Sequence, residues 1–153
     1  MLFRVYQSTD TVACLELFDS NTPAFFAPSE REEFVAYLAE APHYFVLVHN
    51  QRIVGCGGLE EIRDRTWVLC WGMVDRNLHR QGLGKALLLG RLDWIRQQPN
   101  ASVVHLDTTQ FSRGFFERFG FVATSITANG YAEGFDRVDM TLELKAVIPP
   151  TTA

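Results

Sequence analysis

The chain is poor in cysteine. Its 153 residues include only Cys14, Cys56 and Cys70. The number is odd and no pair has C-x-x-C spacing, which argues against a disulfide framework or a zinc site and leaves buried thiols as the expectation. No metal site is expected. Long apolar runs are also missing: none approaches the ~18 residues needed to span a bilayer, so no membrane partner is expected. Met1-Leu2-Phe3-Arg4 lacks a basic stretch leading into an apolar one, so no secretory leader is expected and the cytoplasm is the expected location. An excess of basic charge is lacking too. Fourteen Lys and Arg stand against eighteen Asp and Glu, a net charge of −4, which argues against a nucleic-acid partner. Repeats and low-complexity tracts are absent.

What is present describes one folded unit. A chain of this length buries roughly 70% of the surface its unfolded form exposes, and 47% apolar with 21% charged residues is an ordinary globular composition. Residues 1–146 are expected to form a single domain. Residues 147–153, which include Pro149-Pro150-Thr151-Thr152-Ala153, read as a frayed tail. Charge is unevenly spread along the chain. Residues 1–66 carry five arginines against ten carboxylates, whereas residues 76–118 carry seven basic residues against three acidic ones. A basic middle suits an anionic ligand and an acidic remainder suits a cationic one.

Periodicity divides the chain into an antiparallel first half and a crossover second half. Leu2–Tyr6 reads as a short strand. A helix from Thr9 or Asp10 to Phe18 would place Val12, Leu15 and Phe18 on one face. Ser29 and Glu32 match a capping box for a helix from Glu30 to Glu40, with Phe34, Leu38 and Val35 turned inward. Tyr44–His49, Arg52–Leu59 and Thr66–Val74 read as strands joined by a tight turn at Asn50-Gln51 and a charged hairpin turn over Glu60–Arg65. Gly82–Gln97 has helical spacing, Val103–Thr108 is a strand, and this strand–helix–strand order implies a parallel pair. A short helix over Ser112–Phe119 ends at Gly120, a left-handed C-cap. Final strands over Phe121–Thr127 and Val138–Leu144 flank a polar loop.

The chemistry concentrates at the join after the third strand of the meander, Asp75-Arg76-Asn77-Leu78-His79-Arg80-Gln81-Gly82-Leu83-Gly84-Lys85. Two glycines at a helix start let unpaired backbone amides approach a ligand, and the helix dipole favours an anion there. Arg80 and Lys85 add positive charge. A diphosphate site is the natural reading. A P-loop is excluded because His79 stands where its first glycine belongs and Ala86 where Ser or Thr belongs. A dinucleotide fingerprint fails at Leu87 and lacks the parallel strands that should precede it.

The segment resembles the coenzyme-A loop of the GNAT N-acetyltransferase family, [QR]-x-x-G-x-[GA]. Gly82 and Gly84 match and His79 departs from the first position. Leu106-Asp107-Thr108-Thr109 and Gly114-Phe115-Phe116-Glu117-Arg118-Phe119-Gly120-Phe121 resemble the family's late strand and following helix. The order of elements agrees from about residue 2 to 145. The resemblance implies an α+β fold, a mostly antiparallel mixed sheet with two splayed parallel strands, flanked by helices. It implies acetyl-CoA as co-substrate and direct attack by a primary amine of a small acceptor. It places the pantetheine arm at Met73 and Val74 and the pyrophosphate along His79, Arg80, Gln81, Gly82, Leu83, Gly84 and Lys85, with Thr109 and Phe116 also in the cofactor site. Phe116 occupies the position where many relatives carry a proton-donating Tyr. Tyr131 is the candidate substitute and Glu60 or Glu61 the candidate base. Trp67, Trp71, Phe25, Phe26 and Tyr131 are candidates for an acceptor wall. Homodimers are common in the family. A coenzyme-A-binding protein without turnover is the alternative, motivated by Phe116 and the missing base.

Overall fold

The computed structural model describes residues 1–145; the expected tail at 147–153 lies outside the described residues. The elements run β1 (Leu2–Val5), α1 (Thr11–Ser20), α2 (Arg31–Glu40), β2 (Tyr44–His49), β3 (Arg52–Arg63), β4 (Thr66–Val74), α3 (Leu83–Arg96), β5 (Val103–Thr108), α4 (Arg113–Glu117), β6 (Val122–Ala132) and β7 (Phe135–Glu143). They form one sheet in the order β1-β2-β3-β4-β5-β7-β6. Neighbours are antiparallel except β4 and β5, which run parallel.

One face of the sheet packs on α3. Leu88, Leu92 and Ile95 meet Trp67, Leu69, Val104 and Leu106 in a shared core. Leu88 and Ile95 are fully buried, each contributing about 1.5–3 kcal/mol by removal from water. The other face packs on α1 and α2 through Cys14, Leu17, Phe18, Phe34 and Leu38.

Two features open this sheet. The β4/β5 ladder pairs Thr66 to Leu69 with Val103 to Leu106 and stops there. Beyond that point β4 continues to Val74 while Asp107 and Thr108 pair only with β7. The two parallel strands therefore part. The second feature is a bulge. Cys56 faces Met73 and Gly58 faces Cys70, so Trp71 and Gly72 together oppose Gly57, the two-against-one count of a β-bulge. Trp71 takes φ 46, and the buried Tyr44 hydroxyl donates to the Trp71 carbonyl at 2.8 Å, holding the bulge in place.

Several elements differ from the sequence reading. In α1 the buried residues are Cys14, Leu17 and Phe18, while Val12 is 68% exposed. The Arg4–Asp10 pair and the Gln7 N–H bond to Asp10 fix the helix start and rotate this other stripe toward the sheet. Before α2 the cap is Glu30, whose carboxylate accepts from the Ala27 N–H at 2.8 Å, rather than the Ser29–Glu32 box; Val35 faces outward. β3 runs on through Arg63, so Glu60 and Glu61 are strand residues paired with Val68 and Trp67 rather than turn residues. The expected loop after Thr127 is strand up to Ala132, which puts Tyr131 in β6.

Candidate active site

A cleft of about 1020 Å³ follows the gap between β4 and β5 through the sheet. One end is built by the β4–α3 loop. Arg80 and Gly82 both take left-handed backbone angles, φ 65 and φ 80. Gly82 leads into α3, and a Cβ there would meet no protein atom within 4 Å. The first α3 amides have no helical partner, so this end presents bare N–H groups with Arg80, Lys85 and Arg118 lining the cleft beside them. Two side chains brace the loop. Asn21 Nδ2 and the His79 Nε2–H both donate to the Val74 carbonyl, at 2.8 and 3.0 Å. A carbonyl only accepts, so the bond fixes the His79 tautomer with its proton on Nε2. The Phe25 ring packs edge-on against His79 at 5.2 Å. His79 thus departs from the expected loop pattern without leaving the loop unsupported.

Most of the expected cofactor residues are brought together here. Met73, Val74, His79 and Arg80 line the cleft, as do Gly82, Gly84, Lys85, Thr109 and Phe116. Leu83 instead points into the core with Leu47 and Leu87, and Gln81 is exposed outside the lining.

The other end opens toward α1 and α2. Phe26, Trp71 and Tyr131 line the cleft, as does Phe25 beside His79. Trp67 does not: it is buried under α3, and its indole Nε1 has no partner among the described residues. Glu60 and Glu61 are not part of the lining. Glu60 lies near enough to Tyr37 and Cys70 to raise both groups. The carboxylates that do face the cleft are Glu30, Glu33 and Asp107. Burial pushes the Glu30 carboxyl above its usual range, and the charges of Glu33 and Asp107 push in the same direction. The Tyr131 hydroxyl donates to Asp107, and burial, followed by that bond, raises the phenol well above its ordinary value. Cys70 shares a hydrogen bond of 3.0 Å with Tyr37, and burial pushes its thiol up to about 11. It stays a neutral thiol, which does not suit it to nucleophilic attack.

A left-handed glycine thus opens a helix beside parted parallel strands. A family model described as an acetyltransferase (GNAT) domain matches residues 16–144. The chain belongs to the GNAT acetyltransferase family.

Solved GNAT structures share the fold across nearly the whole chain. The ribosomal-protein-S18-alanine N-acetyltransferase of Escherichia coli superposes with a TM-score of 0.80 at 20% identity, covering 99% of each chain. An aminoglycoside 6'-N-acetyltransferase complexed with coenzyme A gives 0.77 at 12% identity, covering 97% of this chain and 99% of the other. A ribosomal-protein-alanine N-acetyltransferase from Brucella melitensis gives 0.75 at 18% identity, covering 94% and 100%. No curated protein matches the sequence. Among the described residues of this GNAT chain no helix is long and apolar enough to cross a membrane, and no group of His, Cys, Asp and Glu is arranged to hold a metal ion.

Sequence reasoning missed Glu30, Glu33 and Arg91 as cleft residues of this GNAT domain. Arg91 had a readable signal. It follows Leu83 and Leu87 at four-residue steps, so it falls on the buried line of α3.

Proposed function

We propose that the protein transfers an acetyl group from acetyl-CoA to a primary amine of a small cationic acceptor. The observation that carries this reading is one continuous cleft with two regions of opposite charge. Arg80, Lys85 and the free α3 amides line it at the β4–α3 loop, and Glu30, Glu33 and Asp107, close to one another, line it from α2 and β5. The residues present fit coenzyme A. The space above Gly82 is open, the helix terminus favours a diphosphate, and β4 beyond Leu69 has no β5 partner, which leaves an edge for an amide-bearing arm near Met73 and Val74. Bound there, acetyl-CoA supplies the activated acetyl group.

The chain's own residues then do three things. Glu33 and Asp107 draw the acceptor's ammonium group to the gap. Trp71, Phe25 and Phe26 exclude water around it. An alkylammonium must lose a proton before it can attack. Glu30 is the base in this reading, because burial moves its carboxyl toward the operating pH, where general bases are most effective. It takes the place expected of Glu60 and Glu61, which do not line the cleft. Tyr131 holds Asp107 in position, its proton retained by burial. Three cysteines, all free, suit a reducing cytoplasm.

Calorimetric titration with acetyl-CoA, with ATP and NAD as controls, tests the cofactor. Micromolar binding of acetyl-CoA alone, about −8 kcal/mol, supports the reading and absence of binding overturns it. Thiol release with a panel of amines then separates turnover from binding. Tight binding with no release from any amine would favour a coenzyme-A-binding protein.

A further inference from the structure

Arg91 is the least explained charge in the molecule. It lies eight residues into α3 and is only 3% exposed. No carboxylate pairs with it among the described residues. Nη1 donates to the Gly58 carbonyl at a long 3.3 Å, and Nε has no partner among the described residues. Burial pulls its ordinary value down, and the polar groups around it are the Cys70 and Cys56 thiols and the Tyr44 and Tyr37 phenols, none of them a carboxylate. A buried cation without an anion costs several kcal/mol.

The surrounding backbone is shaped around this guanidinium. A Cβ at Gly57 would come within 2.9 Å of it and one at Gly72 within 2.7 Å. Both glycines belong to the bulge, Gly57 on β3 and Gly72 on β4. The bulge therefore leaves space that Arg91 fills, and Arg91 lines the cleft alongside Cys70, Gly72, Leu87 and Leu106. This is the waist where β4 and β5 part. The other cations lining the cleft, Arg80, Lys85 and Arg118, come from the β4–α3 loop, the start of α3 and the end of α4.

The reaction proposed above generates negative charge somewhere along this waist. The amine's lone pair forms the N–C bond, and the carbonyl pair moves onto oxygen. The oxygen pair then re-forms the carbonyl as the C–S bond breaks, and the C–S pair leaves on sulfur. The nitrogen's proton goes to Glu30 or water. The groups at the waist that could protonate the sulfur are few. Phe116 has no exchangeable proton, Tyr131 already donates to Asp107, and the Cys70 thiol, pushed up to about 11 by burial, is too weak an acid and is tied to Tyr37. We propose that Arg91 is an electrostatic catalytic residue that faces the thioester end of acetyl-CoA and holds the charge on the departing sulfur. This rests on the reading under Proposed function.

The test compares wild type with Arg91→Met, which removes the charge at similar volume, and Arg91→Lys, which keeps it. The probe is coenzyme A, and the readout is the pKa of its bound thiol, followed as thiolate ultraviolet absorbance against protein alone. An opposite charge within a few ångströms lowers a thiol pKa by about 1–3 units. The expected result is a lowered value in wild type and in Arg91→Lys, returned to that of free coenzyme A in Arg91→Met. Turnover should fall on the order of 10²-fold in Arg91→Met with the KM for acetyl-CoA kept, the size of loss seen when a donor to developing charge is removed. The ligand-free Arg91→Met protein should melt within a few degrees of wild type, since the charge it loses is uncompensated. A large drop in melting temperature would make Arg91 a structural tie and overturn the proposal. Titration with coenzyme A reads the parent proposal by itself. No binding to wild type overturns both, whereas binding with equal thiol pKa in wild type and Arg91→Met overturns this one alone.

Discussion

Gly82→Ala is the substitution whose consequences the geometry separates best. Gly82 has φ 80, and an added Cβ meets nothing within 4 Å. The protein therefore suffers backbone strain but no clash. A left-handed alanine costs about 1–2 kcal/mol, and each kcal/mol moves the melting temperature of a domain this size by about 2–4 °C. The expected loss is about 2–8 °C with the fold intact. The methyl group projects into the space assigned to the diphosphate, so acetyl-CoA affinity should fall at least about 100-fold, or ~2.8 kcal/mol; Gly82→Val, bulkier and β-branched, should abolish binding. Gly134 provides a matched control. It has φ 79, the same open surroundings, and a place outside the cleft lining. Gly134→Ala should lose similar stability and keep wild-type affinity. Differential scanning fluorimetry and calorimetric titration of the three proteins read both quantities. If Gly82→Ala binds acetyl-CoA as wild type does, the diphosphate is not on this helix terminus and the site has been misplaced.

Other outcomes follow from single residues. Glu30→Gln should lower kcat by about 10²-fold or more while the acetyl-CoA affinity measured by calorimetry stays unchanged. Phe116→Tyr should leave kcat no lower than wild type in the thiol-release assay, since its ring packs beside Phe115 and Phe121 and the added hydroxyl enters the cleft it lines. Arg4 holds the buried Asp10 carboxyl below its ordinary range. A lowered value stabilises above the unfolded pKa of about 3.9 and is lost as pH falls through and below it, so Asp10→Asn should cost about 1–3 kcal/mol at pH 7 and flatten the acid side of a urea-midpoint profile. The Cys70 thiol is raised from 9.0 to about 11 by burial. A raised value stabilises fully below the unfolded pKa, so about 2–3 kcal/mol should be lost between pH 9 and 11, and Cys70→Ala should lose less over the same range.

The aromatic residues of β4 show what a sequence can and cannot reveal. Strict alternation along β4 puts Trp67, Leu69 and Trp71 on one face. In the structure Trp67 and Leu69 pack on α3, whereas Trp71 packs with Phe18, Phe26 and Phe34 on the opposite side. The bulge at Trp71 and Gly72 inserts the residue that changes the phase. Nothing in the run Trp67-Val68-Leu69-Cys70-Trp71 announces it; the weak sign is the glycine pair across the ladder, Gly57 and Gly72. Glu60 and Glu61 are strand rather than turn residues for a related reason. Reading Glu60 and Glu61 as a turn depended on where β3 ends, and strand ends are set by pairing partners that local sequence does not name. By contrast the β4–α3 loop was legible because its demands are local: a left-handed residue, a helix start and flanking cations all fall within six positions.

Charge asymmetry along the chain also survives into space, but through few residues. Of the ten carboxylates in residues 1–66 only Glu30 and Glu33 reach the cleft, and of the seven basic residues in 76–118 only Arg80, Lys85, Arg91 and Arg118 do. Counting charge by segment therefore indicated the two polarities of the cleft while overstating how many groups create them. The separation has a mechanistic consequence. In the proposed reaction a cationic acceptor and a polyanionic cofactor attract each other in solution, and separate charged regions of one cleft favour a separate approach for each. Arg91 lies between them. It would repel an ammonium group held too deep, and it faces the sulfur only when the acyl arm has passed the waist. The buried charge of Arg91, which no carboxylate pairs with among the described residues, is thus placed beside the gap where the proposed reaction develops negative charge.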